Sequence, residues 1–156
     1  MGSCRQRGRR AQAMVEFALL TPLIFLVLLG LLDFGRAVAT YVVIAEAAHD
    51  GARQLVLIKN VGQPNTIIGA TLSEIGGGGV SLTADPCMAA GTTPCPSSPT
   101  TPNTGYIWMS QNLTAGNNEV SVTVTYRYAP LTGIITDAIG GGPITLTASS
   151  SMRAEY

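Results

Sequence analysis

Charge is what this sequence has little of. Only 12% of its 156 residues are charged, about half the share found in ordinary soluble domains. Histidine is almost missing: His49 stands alone, so neither an HExxH metal site nor a serine–histidine pair can be assembled from the chain. A GxSxG element is absent too. Three cysteines occur, none in a CxxC knuckle, so a zinc site is not expected. The glycine run over 76–79 lacks the spacing and trailing lysine of a phosphate loop. The acids are scattered, and a solvated surface accounts for each. These gaps exclude most enzyme classes and lead to an expectation of no catalytic residue, no metal and no cofactor.

The charge that is present is unevenly placed. Arg5, Arg7, Arg9 and Arg10 supply four of the nine cations within the first ten residues. From Ala37 onward four cations meet seven acids, a net −3. The basic head has no aromatic partners and abuts an apolar run, so it is read as topogenic and not as a nucleic-acid contact. Phe17–Leu32 contains no charge, and the run reaches back to Ala11 interrupted only by Glu16. About 20 apolar residues cross a bilayer as a helix. A signal peptide would have an apolar core of about 7–15 residues. The longer run here, with only a mediocre cut site in "DFGRAVA", favours a retained anchor. The arginines then stay in the cytoplasm and the remainder is exported. Pro22 lies inside the run, where loss of one N–H predicts a kink or local melting. Glu16 has two readings of equal standing: a solvated acid at the headgroups, or a carboxylate waiting for a positive partner inside a helix bundle.

Helical pattern continues past the membrane. From Asp33 to about Lys59 there is no proline. Val38, Tyr41, Val42, Ala45, Ala48, Ala52, Leu55 and Val56 recur at three- and four-residue steps as one apolar stripe. Glu46, Asp50 and Arg53 fall on the other side, with Asp33–Arg36 and Asp50–Arg53 as candidate i,i+3 pairs. His49 borders the stripe as an ordinary helix residue. Residues 13–59 then make one helix of roughly 70 Å. Pro64 is placed to start a short second helix that the glycines at 76–79 end.

Strand signals follow. "VSLTA" alternates. Residues 85–105 are rich in Pro, Thr, Ser and Gly and read as a loop, in which Cys87 and Cys95 are spaced to close a small disulfide ring after export. "YIWMS" is a short strand. "EVSVTVTYRY" is the clearest strand, with Val120, Val122, Val124, Tyr126 and Tyr128 on one face. "GNN" before it is turn chemistry, and Asn112-Leu113-Thr114 fits a glycosylation sequon. A small helix or turn is expected at 131–139. "ITLTASSSMR" alternates more weakly through Ile144, Leu146, Ala148, Ser150 and Met152. Short connections predict antiparallel pairing. The expected architecture is α+β: a basic cytoplasmic head over 1–12, a transmembrane helix over 13–33, and an exported domain over 34–156. In that domain an amphipathic helix at about 34–59 packs on a small antiparallel sheet with strands at about 80–84, 106–110, 119–128 and 144–154.

"RRAQAMVEFALLTPLIFLVLLGLLDFGRAVATYVVIAEAAHDGAR" resembles the N-terminal segment of the TadE-like proteins of tight-adherence (Tad) pilus systems. The resembling elements are basic residues, a small-residue patch, Val-Glu-Phe, a proline-containing apolar helix, an acid-Phe-Gly-Arg element and an alanine-rich continuation. Here that continuation is "AAHDGAR", with His49 and Asp50 at variant positions. The closing segment "VTVTYRYAPLTGIITDAIGGGPITLTASSSMRAE" also looks like the family's. The resemblance implies a minor pilin or pseudopilin, bitopic in a bacterial inner membrane, that assists secretion and assembly of an adhesive Flp-type pilus. Its implied partners are the membrane, other pilin-like subunits, the Tad machinery and a prepilin peptidase, with no nucleic acid. By analogy with type IV pilin-like proteins the peptidase cut falls between Ala11 and Gln12, with Ala11 where glycine is usual. Glu16, Phe17 and Pro22 are the implied subunit-assembly residues, Glu16 pairing with the new α-amine of a neighbour. The alternative reading is an uncleaved, membrane-anchored exported binding domain, an adhesin or envelope sensor that polymerises with nothing.

Overall fold

The structure, a computed structural model, describes residues 4–57, 68–69, 71, 79–90, 95–114, 117–132 and 140–153; for 4–11, 89–90, 112–114 and 117 it describes the backbone alone. Helix α1 runs unbroken from Cys4 to Val56, 53 residues, roughly 80 Å long. After it come β1 (Ser81–Ala84), the short helix α2 (Pro86–Ala90), β2 (Thr104–Thr114), β3 (Asn117–Tyr128) and β4 (Ile144–Arg153). The strands form one sheet in the order β1-β2-β3-β4.

α1 continues through Pro22. The Thr21 hydroxyl, beside the position where proline removes an N–H, donates to the Phe17 carbonyl at 2.7 Å. Such i−4 back-bonding occupies a backbone acceptor inside the helix.

β3 is central because alternate residues on it are apolar. Val120, Val122 and Val124 are fully buried, and Tyr126 and Tyr128 nearly so. β2 and β4 flank it antiparallel, with Ile107 opposite Val124 on one side and Ala148 opposite Val124 on the other. α1 lies over β3 and β4. Its buried face is Ile44, Ala47, Ala48, Ala52 and Leu55. The small residues let the helix axis come close to the sheet. A Cβ on Gly51 would sit 3.2 Å from the Val122 side chain, so backbone rather than side chain makes that contact.

Two expectations are corrected. The buried stripe is only in part the one predicted: Ala48, Ala52 and Leu55 are buried and Ala45 and Val56 half-buried as expected, but the N-terminal part of the stripe is not. Val38, Tyr41 and Val42 are 45%, 48% and 47% exposed, whereas Ile44, outside the expected stripe, is 0% exposed. The face that meets the sheet runs back through Ala37 to Asp33 at helical spacing. The expected stripe began on the neighbouring face, which continues the apolar surface of the membrane segment. Apolarity alone does not say which of two adjoining apolar faces the sheet covers.

The sheet is also mixed, not antiparallel throughout: β1 pairs parallel with β2, Ser81 opposite Thr104 and Ala84 opposite Ile107. The connection over 85–103 exceeds the dozen or so residues that a parallel crossover needs. It carries the chain back to the end of β1 from which it started. Gly105 makes the junction possible. A Cβ there would lie 2.9 Å from both the Thr125 carbonyl and the Tyr126 ring, and would collide with Leu82. β2 is longer than the expected 106–110 because β3 offers partners as far as Asn117. Before β4, Gly140, Gly141 and Gly142 all have positive φ, a run that only glycine adopts readily. Of the expected second helix after Pro64 the structure describes Ile68, Gly69 and Thr71, all helical; its remainder, most of the 76–79 glycine run, and 133–139 lie outside the described residues. The sequon backbone belongs to β2.

Candidate functional site

In the N-terminal half of α1, from Gln12 to Leu32, every side chain is exposed or half-exposed. The large apolar ones among them include Met14, Phe17, Leu23, Phe25 and Leu31. Among the described residues α1 is the one helix long and apolar enough to cross a membrane, and none of its apolar window is buried within the protein. Phe17 and Pro22 are exposed on this segment, as is Glu16. The Gln12 amide donates to Glu16 Oε1 at 3.2 Å, one helical turn away. The bond gives the carboxylate a neutral, exposed partner, and no cation joins it among the described residues. The Ala11–Gln12 peptide lies inside the continuous helix. A cut there would put a new α-amine on Gln12, whose side chain already bonds Glu16.

Asp33 joins this half to the domain, and sequence reasoning missed its role. It is buried. Its Oδ1 accepts the Leu131 N–H and its Oδ2 the Thr132 N–H, each at 3.0 Å. The Thr132 hydroxyl also donates to Oδ2. The Tyr128 hydroxyl donates to the Asp33 main-chain oxygen at 3.1 Å. The helix is thereby tied at its membrane exit to the chain leaving β3. No local motif encodes contacts about a hundred residues apart. The only signal was a lone acid at the end of an apolar run. These oxygens are spent on β3's exit and not on Arg36. Among the described residues neither Asp33–Arg36 nor Asp50–Arg53 closes into an ion pair, although the Arg36 guanidinium attracts the Asp33 carboxylate through space. Burial raises the Tyr126 and Tyr128 phenols above their ordinary value, and the Arg36 guanidinium works against that shift in both.

The third feature is the crossover loop. Cys87 and Cys95 form a disulfide, with Cα atoms 6.0 Å apart, inside the usual span. Buried Asp85 organises both ends of the ring. Its Oδ1 accepts the Cys87 N–H at 2.9 Å and its Oδ2 the Ser97 N–H at 2.7 Å. Its own N–H donates to the Ile107 carbonyl at 2.9 Å. Farther along the loop, Arg127 Nη1 donates to the Pro99 carbonyl at 3.1 Å. His49 is exposed. No three metal-ligating side chains converge among the described residues.

An exposed apolar helix, tied by a buried acid to a small helix-covered mixed sheet, defines an α+β protein with, among the described residues, one helix fit to cross a membrane. Residues 11–53 match the family model of TadE-like protein. The match covers the apolar segment and the helix up to Arg53, and none of the sheet. No curated protein and no solved structure matches the chain.

Proposed function

We propose that this protein is a TadE-like minor pilin or pseudopilin that assists assembly of an adhesive Flp-type pilus at the bacterial inner membrane. In this reading it is not an enzyme. α1 crosses the membrane once with the arginine-rich head in the cytoplasm, and the α+β domain is exported. The observation that carries the reading is the surface of α1 over 12–32, which lies within the family match and has no side chain buried among the described residues. In a bilayer that surface serves lipid and other helices alike, and Glu16 is its one acid.

An acid at mid-bilayer costs about 2.5–3.5 kcal/mol on insertion scales, and less near the edge. The cationic α-amine of a neighbouring subunit offsets that cost, displaces the neutral Gln12 bond and sets the axial register between helices. Glu16→Gln and Glu16→Leu are therefore expected to insert as well as wild type and to recover fewer pilin-like partners in a pull-down. Undiminished recovery from both mutants would show Glu16 to be an ordinary interfacial acid. Orientation is checked separately with C-terminal reporter fusions. Alkaline phosphatase should be active, and a fusion active only in the cytoplasm would reverse the topology.

The anchored binding domain remains the second reading, favoured by alanine at position 11 and by a helix unbroken across the expected cut. Mass spectrometry of the mature N-terminus decides between them. A chain beginning at Gln12 supports the pilin reading, and an intact head supports the anchor.

A further inference from the structure

Where α1 leaves the apolar segment, a cleft of about 400 Å³ opens between the helix and the end of the sheet. That volume lies in the usual range for small-ligand sites. Arg36 and Thr40 line it from the helix, Val80 and Asn103 from the loops that flank the strands, and Tyr126 and Tyr128 from β3. Among the described residues Arg36 is the only charged one on its wall. Arg36 is exposed, and its guanidinium makes no described hydrogen bond. The nearest acid, Asp33, has both oxygens occupied by Leu131 and Thr132. Asn103 uses its Oδ1 to accept the Ala129 N–H at 3.2 Å, which leaves its amide hydrogens to donate. The Tyr128 hydroxyl is spent on the Asp33 carbonyl, but the Tyr126 hydroxyl makes no described bond. The cleft thus offers a cation and several neutral donors to an anion; among the described residues no carboxylate lines its wall, and the nearby Asp33 carboxylate, which attracts Arg36 through space, is buried behind it on the Leu131 and Thr132 amides.

Its height above the membrane identifies the anion. Residues 13–32 make about 30 Å of helix at 1.5 Å per residue, the thickness of a typical hydrocarbon core. Arg36 follows Leu32 by four residues, about 6 Å farther along the axis. The headgroup layer on each side is roughly 5–8 Å deep. Arg36 therefore sits at the depth of the lipid phosphates. A guanidinium fork matches a phosphate in bidentate fashion.

We propose that this cleft binds the phosphate of an anionic phospholipid headgroup from the leaflet into which α1 emerges, with Arg36 as the charged contact and Thr40, Asn103 and Tyr126 as neutral donors. The apolar wall provided by Val80 suits the glycerol end of the lipid. A lipid held there fixes how far the domain stands from the bilayer and how it is turned about the α1 axis. The proposal rests on α1 crossing the membrane.

The test is native mass spectrometry of the full chain released from detergent micelles that contain phosphatidylglycerol. Wild type should retain one lipid. Arg36→Gln should lower that adduct roughly tenfold, the loss expected for a charge-assisted contact. Arg36→Lys should fall between the two, and Tyr126→Phe should lower it a few-fold while removing one oxygen from an otherwise unchanged core. Diacylglycerol with the same acyl chains should not be retained. Equal adducts on wild type and Arg36→Gln would overturn the proposal. So would equal retention of diacylglycerol, which would reduce the binding to acyl contact with the helix. Displacement of the lipid by millimolar inorganic phosphate would make the cleft a free-anion site and would also overturn it. Carbonate extraction of the same proteins from membranes separates the two failures. Wild type released by carbonate sinks the anchor itself, whereas an anchored Arg36→Gln with full adducts sinks only the lipid site.

Discussion

One helix, α1, lives in two solvents. Over 12–32 its leucines, its two phenylalanines and Ile24 are all exposed. Over 33–56 it uses alanine, glycine and a few larger side chains to press against β3 and β4. The helical backbone is the same in both halves, so helix formation by itself does not separate them. Residue size does. Bulky side chains maximise contact with lipid, where a close helix–helix or helix–sheet fit is not imposed by the chain itself. Small ones allow the close approach that a packed protein interior requires. The boundary is Asp33, too polar for lipid and satisfied only by the folded sheet.

The sharpest way to break this contrast is to make the same substitution in each half. Ile44→Ala should destabilise the domain by about 2–5 kcal/mol, because a fully buried side chain leaves a cavity. Ile24, half-exposed on the same helix, should tolerate the change to alanine within about 0.5 kcal/mol of domain stability. Urea unfolding of the full chain in detergent, followed by near-UV circular dichroism, measures both. Equal losses would mean that the apolar segment is part of the folded core.

The crossover loop sharpens the comparison from the sheet side. Replacing Cys87 and Cys95 by serine should cost about 2–3 kcal/mol, the loop-closure entropy of a ring with a sequence separation of 8. Non-reducing peptide maps of wild type should show the two peptides linked. Two free thiols in protein from an oxidising envelope would contradict the structure. The Asp85 bonds survive the substitution, so the loop should loosen without detaching.

A smaller effect is expected at the β1–β2 junction. Gly105→Ala should cost about 1–3 kcal/mol through overpacking against Leu82 and Tyr126. Hydrogen exchange should rise first in β1, the edge strand whose approach depends on the missing Cβ, and least in β3. A neutral substitution would show that β1 can move away freely.

Several elements were legible from the residues alone for identifiable reasons. Bilayer thickness sets the length of the apolar run, so the segment up to Leu32 stood out without any knowledge of the fold. β3 is apolar at every second position from Val120 to Tyr128, and a period of two admits only one buried face. The pairing of Cys87 with Cys95 needed only proximity in the chain. The likeness of 11–53 to the TadE-like family was likewise visible in local order.

Tertiary structure decided the rest. The rotation of α1 against the sheet placed Ile44 inside and Tyr41 outside. Both are apolar, and only the shape of the facing sheet distinguishes them. The parallel pairing of β1 depended on the path of the crossover, which length permits but does not require. Above all, the function of Asp33 as a tie to Leu131 and Thr132 arises from groups 98 and 99 residues away. Local sequence carries periodicity and span, because those depend on neighbours in the chain. It does not carry the partner of a buried acid, because that partner exists only once the sheet has folded against the helix.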